Sequence, residues 1–201
     1  TMLPDTANSA QVTVTIRPPL QLSIQPDTIV CKGSSVTLTA QATGGKGTGF
    51  YTIEWFILPD TTSVQHTGNT YTVTVNNNQQ YQAKLTDGCT ALPVWSNSIT
   101  VNTYNKIQLT PRADTTINKG QSVNLTAQAT QGKGSGYTFT WYKLPDSTTA
   151  LTPNNPQTEQ PDSTTTYRVI ATDGCAANTD KAHVVITVRQ QLEITIANNY
   201  S

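Results

Sequence analysis

Two glycine loops, each holding a lysine, are the residues in this chain that could do chemistry. The first lies in "LTAQATGGKGTGFYTIEW", Leu38 to Trp55, and the second in "LTAQATQGKGSGYTFTW", Leu125 to Trp141. A phosphate-binding loop needs Gly, four residues, then Gly-Lys-Ser/Thr, so that backbone amides and the ammonium surround the anion ahead of a helix. Here Lys46 is followed by Gly47, and the loop leads into a run rich in Tyr, Ile and Trp that predicts a strand. No helix dipole would face an anion, so the loop is expected to turn the chain, with its glycines supplying positive backbone torsions.

The other reactive types are as sparse. The two histidines, His66 and His183, do not occupy equivalent places in the repeats described below, and Glu54, Glu159 and Glu193 are the only glutamates. Neither set supports a metal centre, a catalytic dyad or a paired-carboxylate hydrolase, and no EF-hand spacing is present. The expectation is a non-enzymatic chain with no catalytic, cofactor-binding or metal-ligating residue. A structural Ca2+ held by loop aspartates is the one cofactor left open. Trp95, in "ALPVWSN", is a candidate ligand contact for a sugar or a partner protein. The alternative, favoured here, is that it packs on its own loop or on a neighbouring domain.

The elements that must position these residues are β-strands. Of 201 residues only 12% are charged and 35% hydrophobic, with zero formal net charge. Thr and Val are abundant, while Gln and Asn stand where a helical protein would carry Lys and Glu. The scattered basic residues make no footprint for nucleic acid or an anionic membrane. No stretch approaches the ~20 apolar residues of a membrane span, and the first residues lack the charged and apolar regions expected of a signal peptide.

Gly33 aligns with Gly120, Trp55 with Trp141 and Cys89 with Cys175, so one unit is present twice. The expected division is 1–19, the last strand of a preceding repeat; 20–106, repeat one; 107–191, repeat two; and 192–201, the first strand of a following repeat. Within a unit Val36, Leu38, Ala40 and Ala42 alternate with polar residues, the mark of a strand with one buried face. Further strands are expected at Tyr51 to Ile57, Thr70 to Val75, Tyr81 to Thr86 and Ser98 to Thr103. About seven short strands around a central Trp predict a sandwich, with Trp55 and Trp141 on the third strand and Tyr81 and Tyr167 where a tyrosine corner belongs.

"CKGSSVTLTAQATGG", "YTIEW", "YQAKLTDGC" and "SITV" resemble the PKD-like and immunoglobulin-like repeats of Bacteroidota secreted and surface proteins, including gliding adhesins exported by type IX secretion. The resemblance implies an all-β fold of tandem immunoglobulin-like (PKD-like) sandwiches, an extracellular or cell-surface location, and neighbouring repeats, surface glycans or surface proteins as partners. The "WDFGDG" segment of PKD domains is replaced by "EWFILPD" and "TWYKLPD". Six Asp-Ser/Thr steps resemble the O-glycosylation signal of the same group, which makes Thr6, Thr28, Thr61, Thr115, Ser147 and Ser163 candidate acceptors. The other reading is that Asp-Thr suits turns and a repeat duplicates its turns.

Three cysteines leave one without a partner in the chain. In an immunoglobulin-like sandwich Cys31 and Cys89 sit at opposite ends. In a head-to-tail array Cys31 instead approaches Cys175, and Cys89 would pair with a preceding repeat. The pairings open are Cys31–Cys175, then Cys31–Cys89, then free thiols. The expected role is a structural stalk in a long adhesin or secreted protein. The alternatives are a carbohydrate- or protein-binding module, or an accessory domain of a secreted hydrolase.

Overall fold

The computed structural model describes residues 13–89, 92–151, 155–176, 178–190 and 192. Among these the regular elements are strands, apart from a single 3-10 turn at Thr48–Phe50. By compactness the chain forms two units, residues 1–27, 37–73 and 79–100, and residues 28–36, 74–78 and 101–201. Residues 28–36, 74–78 and 101–106 of the first sequence repeat therefore belong to the second unit. The described residues of the expected preceding and following strands, 13–19 and 192, lie in no strand.

In the first unit, Leu38 and Ala40 are buried while Thr37, Thr39 and Gln41 face water, because successive side chains of a strand point to opposite faces. This part of strand Ser34–Thr43 pairs antiparallel with Gln21–Ile24, Leu22 opposite Ala42. The second layer centres on Gln79–Thr86, antiparallel to Thr52–Ile57 with Trp55 opposite Ala83. Leu38, Ile53, Trp55, Val73, Tyr81, Ala83 and Leu85 close the core. The Trp55 indole N–H donates to the Gly68 carbonyl at 2.9 Å, so the largest side chain of this core buries no unpaired donor.

The second unit holds two parallel pairs, Thr28–Val30 beside residues 101–103 of the strand Ile99–Thr103 and Thr115–Asn118 beside Thr179–Arg189. Its main sheet runs in the order Thr115–Asn118, Thr179–Arg189, Thr165–Thr172, Thr138–Lys143. Thr165–Thr172 alternates buried and half-buried positions along its full length. Val123, Leu125, Ala127, Trp141, Tyr167, Val169, Val184 and Ile186 form the core. Among the described residues, the buried Trp141 Nε1 has no hydrogen-bond partner. Tyr167 departs from the tyrosine corner: its hydroxyl donates to Glu159 Oε2 at 3.4 Å, where the corner would use backbone. Burial, reinforced by that carboxylate, raises the Tyr167 pKa.

Candidate functional site

Each glycine loop wraps an aspartate of its own unit. In the first, Gly44, Gly45 and Gly47 have φ of 78°, 53° and 104°, and this left-handed backbone turns amide hydrogens inward. Asp87, 2% exposed, accepts the Lys46 N–H through Oδ2 at 2.9 Å and the Cys89 N–H through Oδ1 at 2.9 Å. The Tyr51 hydroxyl donates to the Gly44 carbonyl at 2.6 Å and closes the loop from the other side. The Lys46 ammonium takes no part, lying 3.9 Å from the Phe50 ring centroid.

The second unit repeats the arrangement. Asp173 accepts the Lys133 N–H at 2.8 Å and the Cys175 N–H at 3.0 Å, and the Tyr137 hydroxyl donates to the Gln131 carbonyl. Asn178 adds a bond from Nδ2 to Asp173 Oδ2 at 2.9 Å, and its Oδ1 receives the Ile107 N–H at 2.9 Å. A Cβ on Gly45 or Gly132 would lie 2.3 Å from the aspartate Oδ2. Each loop is therefore held by a carboxylate of the same unit, which accepts the N–H of its lysine. Asp87 and Asp173 are functional positions that the sequence does not single out; the available signal is that Thr-Asp-Gly-Cys recurs in the chain as Gly-Lys-Gly does.

Burial alone would push the Asp173 pKa up, but the backbone N–H groups of Cys175 and Lys133 and the Asn178 amide outweigh it and hold the carboxyl below its usual value. A folded-state pKa below the unfolded value of about 3.9 contributes stability above that pH. The contribution is lost as pH falls through the folded pKa. Thermal melts between pH 7 and pH 2 are expected to show an acid loss of stability for the wild type. Asp173→Asn is expected to be less stable at pH 7 and flatter below pH 4. An unchanged acid limb in the variant would show that Asp173 is not the group responsible.

Cys31 and Cys175 are joined by a disulfide with Cα atoms 5.4 Å apart, within ordinary reach, and both lie in the second unit. The alternative pairing Cys31–Cys89 is thus absent: Cys89 is an exposed free thiol. Its backbone N–H is nevertheless held by Asp87 as that of Cys175 is held by Asp173.

Of the candidate acceptors, Thr6 lies outside the described residues, Thr28 and Thr115 are half-buried at strand starts, and Thr61, Ser147 and Ser163 are exposed. Four of the preceding aspartates accept structural hydrogen bonds. Asp27 accepts the Thr100 N–H and Asp114 the Val185 N–H, both at 2.8 Å. After the Leu58-Pro59 and Leu144-Pro145 peptides, both cis, Asp60 and Asp146 accept backbone and hydroxyl donors from residues two and three places on. Those bonds lower both pKa values.

Trp95 stands on the short strand Val94–Trp95, opposite Lys84. Its ring centroid lies 5.2 Å from that of Phe56, and Phe56 is buried on the face of Thr52–Ile57 opposite Trp55. Trp95 is 39% exposed, so one part of the indole covers Phe56 and the rest meets water. Lys84 lies near both rings and pairs with Glu54 at 2.5 Å. Where the second repeat has Tyr142 in place of Phe56, the Arg168 guanidinium lies over that ring at 4.6 Å. Among the described residues, no group of three or more His, Cys, Asp or Glu is gathered to hold a metal ion.

No protein-family model matches the chain, and no curated protein matches it. Among solved structures, the three N-terminal domains of the bacteriophage RB49 highly immunogenic outer capsid protein superpose with a TM-score of 0.60 at 18% identity, over 85% of this chain and 59% of that one. The chain thus spans about three fifths of the length of that relative. Sidekick-1 immunoglobulin domains 1–4 give a TM-score of 0.46 at 14% identity, covering 89% and 51% of the two chains. The chain is a tandem of immunoglobulin-like sandwiches. At such identities the likeness concerns the fold alone, so the role of these immunoglobulin-like domains has to be argued from their own residues.

Proposed function

We propose that the chain is a structural spacer in an extracellular repeat protein, a stalk that holds a distal site away from its anchor, as the Bacteroidota resemblance implies. The observation that carries this reading is the disulfide between the two sequence repeats, Cys31 in the first and Cys175 in the second. A cystine of this kind belongs to an oxidising compartment, and it spends two residues on linking repeats rather than on chemistry. The glycine loops support the reading, because the Lys46 and Lys133 N–H groups are already engaged by Asp87 and Asp173. In the same proposal, 20–106 and 107–191 are two units of a longer array, and Cys89 takes the role of Cys175 toward a preceding repeat. Thr61, Ser147 and Ser163 are then the acceptors best placed to carry O-glycans, because their exposure leaves room for one.

The competing reading, a carbohydrate-binding module, rests on the exposed part of Trp95. A glycan array probed with wild type and Trp95→Ala separates the two. The stalk predicts no glycan bound by either protein, and a Trp95→Ala melting temperature lowered by a few degrees because Phe56 loses its cover. Binding by the wild type that Trp95→Ala abolishes would overturn the stalk.

A further inference from the structure

The disulfide encloses most of the chain. Cys31 and Cys175 are 144 positions apart, which leaves 30 residues before the loop and 26 after it. Inside it lie Trp55, Trp141, both glycine loops, Asp87 and Asp173, and the strands from Ser34–Thr43 through Thr165–Thr172. Outside it lie Gln21–Ile24, Thr28–Val30 and Thr179–Arg189.

Tension applied at the two ends follows the shortest covalent path. That path enters along the first residues, crosses from Cys31 Sγ to Cys175 Sγ, and leaves through the last strand. Residues 32–174 are off it. A fully extended chain spans at most about 3.5 Å per residue, so the loop withholds about 500 Å of contour from the pulling direction. The segments outside span only about 200 Å in all at the same rise. Peeling Thr179–Arg189 away would still cost the second core Val184 and Ile186, but the chain from Lys32 to Gly174 would stay out of the line of force.

We propose that Cys31–Cys175 is a force bypass for tension applied at the two ends of this chain with Cys89 free: while it is closed, stretching cannot draw out residues 32–174, and reduction frees about 500 Å of further contour. This rests on the spacer reading for its purpose, but not for its test. Reduction needs a dithiol, which is itself oxidised to a cyclic disulfide while its two electrons and two protons convert the cystine to two thiols.

The experiment is single-molecule force extension of the full chain, tethered at its N- and C-termini, before and after dithiothreitol. Thiol counting confirms one free thiol before and three after. The expected result is a fully extended length near 200 Å when oxidised and near 700 Å when reduced, at about 3.5 Å per residue. Cys31→Ser combined with Cys175→Ser should give the long extended length without reductant, and Cys89→Ser should keep the short one. An extended length near 700 Å, at the same rise, from molecules with one free thiol would overturn the bypass, as would a short one from molecules with three. The spacer reading fails on a different result, glycan binding through Trp95, so the two failures are distinguishable.

Discussion

Trp55→Ala is expected to destabilise the first unit by about 3–5 kcal/mol, the cost of deleting a large, fully buried aromatic side chain. Trp55 is completely buried, opposite Ala83 in the sheet and with the Tyr71 ring centroid 6.3 Å away, and its N–H is paired with the Gly68 carbonyl. Truncation leaves a cavity and takes the indole donor from the carbonyl of the half-buried Gly68. Domain stability is typically about 5–15 kcal/mol, so the variant should retain at most a small margin. Urea titration followed by circular dichroism measures the loss, and a loss under about 1 kcal/mol would mean that the indole is not a core element. Comparing the two tryptophans sharpens the prediction. Trp55→Phe gives up a hydrogen bond, whereas Trp141→Phe removes an indole N–H that is buried and unpaired among the described residues. Trp141→Phe should therefore be the milder change by about 1 kcal/mol, the net worth of one hydrogen bond.

Gly132→Ala is expected to cost the second unit about 2–4 kcal/mol. Its φ of 59° places an alanine in left-handed backbone, a penalty of about 1–2 kcal/mol. The added Cβ would meet Asp173 Oδ2 at 2.3 Å and Ile107 Cγ1 at 2.9 Å, so the loop must open or the carboxylate must leave its donors. Gly134→Ala is the internal control. It has a φ of 79°, yet a Cβ there meets nothing within 4 Å, so only the torsional part should appear. The corresponding pair in the first unit, Gly45→Ala against Gly47→Ala, should show the same ordering, since a Cβ on Gly45 lies 2.3 Å from Asp87 Oδ2 and one on Gly47 meets nothing. Equal losses for Gly132→Ala and Gly134→Ala would show that the carboxylate does not fill the loop.

Several parts of this protein follow from sequence-local physics. Alternating Val, Leu and Ala against Thr and Gln dictates strands with one buried face, and the strands at Thr52–Ile57, Thr70–Val75, Gln79–Thr86 and Ile99–Thr103 begin and end within two residues of the spans read from that pattern. The same alternation, repeated around a central Trp, implies the sandwich. The failure of the glycine loops as phosphate sites was also legible, because a loop that enters a strand has no helix terminus to offer.

Tertiary structure alone decided what the loops do instead. Asp87 lies more than forty residues beyond Lys46, and only the stacking of sheets brings its carboxylate to that amide. No local pattern encodes a contact between two loops of different strands. The role of Trp95 was undecidable for the same reason, since the sequence does not say which side chain, here Phe56, comes beneath it. Cysteine pairing belongs to this class as well. Three thiols permit several connectivities, and only the approach of two Cα atoms to 5.4 Å selects Cys31 with Cys175. The strands were set by alternation that neighbouring residues carry. The loop–aspartate bonds, the aromatic cover and the disulfide were set by distances between residues far apart in the chain, which folding alone brings within bonding range.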